Sequence, residues 1–153
     1  MNDEAKATYE DANLILKLYE LRREEKLREA RQWFTSQFRP QTIDDIKALL
    51  LAPDDPRNAS FRMVVSYWDM AASFAVRGPL DATLLLESAG ELISVWAIVE
   101  PFIAEFRELA QLPEFLRNLE EIIQRVDWAP RRVEWIQARL AAVQAAVDSP
   151  SKQ

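Results

Sequence analysis

Two glycines in 153 residues, Gly78 and Gly90, set the first limit on how this chain folds. Sheets joined by tight hairpins lean on glycine in their turns, whereas helices joined by short connections need little of it. The expected class is therefore all-α. The length suits one domain, large enough to bury about 68–70% of its unfolded surface. Five Trp and seven Phe supply the large rings for a core. The spacing of apolar residues predicts a bundle of five or six helices over residues 1–148, with a polar tail at 149–153.

The first predicted helix is long, residues 3–38. Leu14, Leu18 and Leu21 form one stripe, with Ile15 and Tyr19 beside it. "RREEK" interrupts, and Leu27, Ala30, Phe34 and Phe38 resume the spacing until Pro40. Thr42 is the expected cap of a short second helix with Asp45 in its first turn. Asp55 or Asn58 is the expected cap of the third, from Pro56 to Arg77. Gly78-Pro79 ends it, and Asp81 caps a fourth that reads to Ala110. The third and fourth are expected to form an antiparallel hairpin at the centre. Pro101 inside the fourth predicts a kink or break, because it cannot donate to the Ala97 carbonyl. Gly90, with Ser88 and Ala89, predicts a thin spot for a close neighbour. A fifth helix opens at Pro113 and a sixth at Pro130, the latter with a core stripe of Val133, Ile136, Leu140, Val143 and Val147.

The chain has no histidine and no cysteine. That removes Ser-His-Asp and Cys-His nucleophiles, the HExxH zinc site and the Glu-x-x-His di-iron motif. No glycine loop exists to cradle a phosphate. Net charge is −6, which disfavours binding to a phosphate backbone. The longest uncharged stretch around "LISVWAIV", 92–99, is far short of a membrane span. The acidic start "MNDEAK" predicts no secretory signal of the usual kind, so the expected setting is the cytoplasm, with no membrane role.

Carboxylate chemistry with Mg²⁺ survives these exclusions. Glu105 and Glu108 give one Glu-x-x-Glu pair, but the second pair that a helical nucleotide hydrolase needs is missing: Glu120 is followed at that spacing by Ile123, and Glu121 by Gln124. Arg125, Trp128, Arg131, Arg132, Trp135 and Arg139 interleave rings with cations, a pattern that can stack bases. The favoured reading is rings packed under arginine stems.

Polar residues of the third helix, Arg62, Ser66, Asp69, Ser73 and Arg77, recur every three or four positions and share one stripe. The fourth helix repeats the design with Thr83, Glu87, Glu91 and Ser94. Facing water, the stripes are a wet edge, which is the favoured arrangement. Facing each other, they bring Asp69, Glu87 and Glu91 together, and three carboxylates then require a metal or an arginine from the first helix.

The features "YWD" at 67–69, "RGPLD" at 77–81, Trp96, "PFI" at 101–103 and Arg107 resemble those of an uncharacterised bacterial all-helical family, a domain of unknown function. The resemblance spans residues 67–107 and implies an all-α domain, with no catalytic residue to carry over. No cofactor is expected. The leading expectation is a non-enzymatic cytoplasmic interaction or structural domain. The alternatives are a Mg²⁺-dependent hydrolase acting on nucleotides, and a small-molecule-binding helical domain. A 36-residue first helix would span roughly 54 Å. Its broad apolar surface predicts an arm through which two copies form a homodimer.

Overall fold

A computed structural model describes residues 6–149. Among them the chain forms eight helices and no strand: α1 (Tyr9–Leu21), α2 (Glu25–Ser36), α3 (Ile43–Leu50), α4 (Pro56–Val76), α5 (Ala82–Ser88), α6 (Gly90–Ala110), α7 (Arg117–Arg125) and α8 (Ala129–Asp148). The all-α expectation holds. The count of five or six helices does not, because two of the expected long helices are each broken in two.

The first break falls at "RREEK". Arg22 ends α1, and the Glu24 carboxylate accepts from the Lys26 and Leu27 N–H groups at 3.1 and 2.9 Å, starting α2 anew. An acidic side chain that caps the following turn competes successfully with helix continuation. α1 has its own start, a reciprocal capping box between Thr8 and Asp11. The long arm is therefore absent: α1 has 13 residues and a length of about 20 Å. The first residues of the expected helix, 3–5, lie outside the described residues, as do positions 150–153 of the expected tail.

The second break falls at Ala89, which leaves helical geometry at φ −133°, ψ 57°. α5 and α6 meet there at 90°. Gly78 does end α4 as expected, and a Cβ there would lie 2.7 Å from the Phe74 carbonyl oxygen. The expected hairpin of two long helices is nonetheless replaced, since the helix after the turn is seven residues long. Gly90 is not a thin spot. A Cβ built on it would have no neighbour within 4 Å.

α4 packs mainly between α2 and α7, and α6 mainly against α8. One contiguous core runs from Leu18 on α1 to Val133 on α8, with Phe34, Trp68, Leu85, Leu92, Leu119 and Ile122 fully enclosed. Pro101 neither breaks nor ends α6. The Ala97 carbonyl, which a proline four residues on cannot serve, accepts instead from Gln137 Nε2 of α8 at 3.1 Å. Of the stripe expected for the last helix, Val133 is buried and Ile136 and Leu140 are half-buried. Val143 and Val147 stand exposed.

Candidate functional site

Three consecutive residues of α4, Tyr67, Trp68 and Asp69, each hold a different part of the molecule. Residues 100° apart on a helix point in three directions, so one short segment at the centre of a bundle can do this. The buried Tyr67 hydroxyl donates to the Leu18 carbonyl near the end of α1. Burial pushes its pKa above the ordinary phenol range.

Trp68 is enclosed, and its indole N–H donates to Glu91 Oε1 at 3.1 Å. Glu91 also receives both prongs of Arg31, Nε and Nη2, at 2.7 Å each, the bidentate geometry that a planar guanidinium favours. Arg31 Nη1 donates to the Arg22 carbonyl at 2.9 Å, so the same arginine satisfies the end of α1. The Glu91 bond raises its pKa further. The Arg22 guanidinium lies over the Tyr19 and Trp68 rings, 4.6 and 5.5 Å from their centroids. α1, α2, α4 and α6 thus meet around one ion pair.

Asp69 does something else. Its Oδ1 accepts from the Leu119 N–H at 3.1 Å and its Oδ2 from Asn118 Nδ2 at 2.9 Å. α7 begins after Leu116, an apolar residue at φ 55° that offers no capping oxygen. Asp69 supplies the cap across the bundle and sets a negative charge against the positive end of the α7 dipole. The signal in the sequence was a missing one: "LPEFLRN" has no Ser, Thr, Asp or Asn where α7 needs a cap.

The two stripes do not face each other: Arg62, Ser66, Arg77, Thr83 and Glu87 are exposed, as the water-facing arrangement expects, whereas Asp69 and Glu91 are half-buried and tied to other helices. Asp69 serves α7, Glu91 serves α2, and Glu87 is exposed. The three do not form a cluster. An arginine from the region of the expected first helix, Arg31, does reach one of these carboxylates, but it neutralises Glu91 alone. Glu105 and Glu108 are both exposed. Among the described residues, no three acidic, histidine or cysteine groups converge as a metal site.

Of the basic and aromatic residues near α8, Arg125 is engaged elsewhere, while Trp128, Arg132, Trp135 and Arg139 stay close together. Arg125 pairs with Glu121 and reaches the Ala75 carbonyl at 3.2 Å. Trp135 is 53% exposed, with the Arg132 and Arg139 guanidinium carbons 5.6 and 5.1 Å from its ring centroid. This is the expected packing of a ring beneath arginines whose charged ends lie in water, with the ring itself at the surface.

Two further resembling positions, Asp81 and Arg107, are cross-links too. Asp81 caps α5 by accepting from the Leu84 N–H at 2.7 Å, and its own N–H donates to buried Asp11 at 3.0 Å. The Thr8 N–H bond, more than any other contact, holds the Asp11 carboxyl below the usual carboxylate range. Arg107 Nε donates to the Phe115 carbonyl at 2.9 Å and Nη1 lies 3.0 Å from Glu120, fastening the α6–α7 connection. Between that connection and α4 lies an open groove of about 1100 Å³. Arg62, Ser66, Asp69 and Ser73, the polar stripe of α4, run along it.

These features define a class: an all-helical domain whose core is stitched together by polar side chains reaching between helices. The chain belongs to the family described as Domain of unknown function (DUF4760), whose pattern matches residues 7–126. No curated protein and no solved structure matches it. The family match extends well beyond the 67–107 segment on which the resemblance rests, and it stops before α8.

Proposed function

We propose that this domain is a non-enzymatic interaction or structural module acting in the cytoplasm. The observation that carries this reading is the use made of the carboxylates. Asp69 and Glu91 are spent on holding helices, while Glu87, Glu105 and Glu108 stand apart in water. A Mg²⁺-dependent hydrolase needs several such groups aimed at one point. For the setting, no single described helix is long and apolar enough to cross a membrane. α5 and α6 reach that length and apolarity only as a pair bent by 90°, and most of their large apolar side chains lie in the core.

The surface offered to a protein partner is that of α1, with Leu16 opposite the core and Tyr19 and Leu21 on its two flanks, each about half exposed or more. A second copy of the chain is the partner proposed for it. Thermal shift with Mg²⁺ and a nucleotide panel tests the non-enzymatic reading, which expects no joint stabilisation by metal and nucleotide. Light scattering tests the homodimer: a mass of 17.7 kDa at high micromolar concentration would remove it.

A further inference from the structure

The groove along α4 contains one cation, and that cation is held in place. Asn58 is buried, and its amide is used at both ends. Nδ2 donates to the Leu49 and Leu50 carbonyls at the end of α3, at 3.1 and 3.2 Å. Oδ1 accepts from Arg62 Nε at 2.9 Å. A locked amide therefore orients the guanidinium, which supports a binding geometry in the way an outer-shell hydrogen bond orients a ligand-contacting group. Among the described residues Arg62 makes no ion pair. Its two terminal nitrogens remain available, and a carboxylate matches that fork.

The rest of the groove suits an apolar body. Met63, Met70, Phe106, Leu112 and Phe115 line it, and Met70 and Leu112 are 39% and 49% exposed. Methionine adapts its shape to what it meets. The groove volume, about 1100 Å³, is comparable with the larger ligand sites, which occupy roughly 300–1,000 Å³. Two acids also line it and fix the polarity. Asp69 is engaged by α7, and Glu114 is exposed on the α6–α7 connection. Neither welcomes an anion, so Arg62 is the one place in the groove for a negative head.

We propose that this groove binds an elongated apolar carboxylate, with its head on Arg62 and its alkyl or aryl body against Met63, Met70, Phe106 and Phe115. This goes beyond the interaction-module reading and rests on different residues. The test titrates the whole chain by calorimetry with sodium decanoate, decan-1-ol and decylammonium chloride, each kept below its aggregation concentration. Decanoate is expected to bind at least about tenfold more tightly than the alcohol or the amine. Arg62→Gln is expected to erase the advantage of decanoate over decanol while leaving decanol unchanged. Met70→Glu, which leaves Asn58 and Arg62 intact and places a carboxylate in the groove, is expected to abolish decanoate binding. Far-UV circular dichroism checks that both variants fold. Absence of decanoate binding to the unaltered chain, equal binding of the three probes, or undiminished decanoate binding by either folded variant would overturn the proposal.

Discussion

α4 and α8 have nearly the same length, 21 and 20 residues, and opposite situations. α4 buries nine of its residues and touches neighbours on most of its circumference, whereas α8 buries only Ala129 and Val133. Both carry helical periodicity in the sequence. The difference teaches that periodicity reports an apolar stripe on a helix and says nothing of whether another element covers it. α4 lies inside the family match and α8 beyond it. The contrast predicts that substitutions along α4 are costly for reasons that differ from residue to residue, and that those along α8 fade in effect toward its end.

The largest effect is expected at Trp68. Trp68→Ala empties a fully enclosed ring site and removes a donor from Glu91, and it should destabilise the fold by about 3–5 kcal/mol in urea denaturation. A loss below about 1 kcal/mol would remove α4 from the centre of the comparison. Next is Glu91→Ala. It strands Arg31, whose side chain is 18% exposed, so the cost falls below that of a fully buried pair, at about 2–3 kcal/mol. Arg31→Met with Glu91→Met should recover much of that loss, because two apolar groups leave no stranded charge. A double variant as unstable as the sum of the singles would show that the pair is not coupled.

Asp69→Ala should cost about 1–2 kcal/mol, the range for losing a helix cap. Asp69 and Glu91 serve different helices, so Asp69→Asn and Glu91→Gln are expected to add within about 0.5 kcal/mol. Coupling above that level would bring the two carboxylates back into one site.

The sequence carried some of this and withheld the rest for identifiable reasons. Local signals were legible: a cap at Asp55, one of the two residues expected there, with Asn58 instead inside α4, a cap at Asp81, the stop at Gly78-Pro79, and the stripe of Phe34 and Phe38. These depend on contacts within a few residues. What misled was persistence of pattern. Apolar spacing continues across "RREEK" and across Ala89, yet a carboxylate cap at Glu24 and a 90° turn at Ala89 end helices there. The carboxylates were legible as a set and illegible as individuals. Asp69 and Glu91 share stripes of similar spacing, but their partners, Leu119 and Arg31, lie 50 and 60 residues away in sequence. No spacing rule on one helix reveals which distant helix lacks a cap. Pro101 shows the same limit in reverse. Its local effect is certain, but Gln137 on α8 supplies the donor that the helix loses. Gln137→Ala should therefore cost about 1 kcal/mol by leaving the Ala97 carbonyl without this donor. A neutral result would mean that water replaces it.

The smallest effect is expected at the far end of α8, where the comparison is sharpest. Val143 and Val147 continue the stripe that begins with buried Val133, at alternating spacings of three and four. By pattern they belong to the core; by position they are 58% and 73% exposed. A buried valine truncated to alanine leaves a cavity and loses the transfer energy of its methyl groups. An exposed one loses neither, and alanine's higher helix propensity offsets part of what little packing remains. Val143→Ala and Val147→Ala should each lie within about 0.5 kcal/mol of the parent, while Val133→Ala costs more than either. Urea denaturation of the three variants at low and at high micromolar protein concentration settles the matter. Equal losses at Val133 and Val147 at both concentrations would mean that α8 is covered along its whole length within one chain. A loss at Val147 that grows with concentration would mean that a second copy covers it.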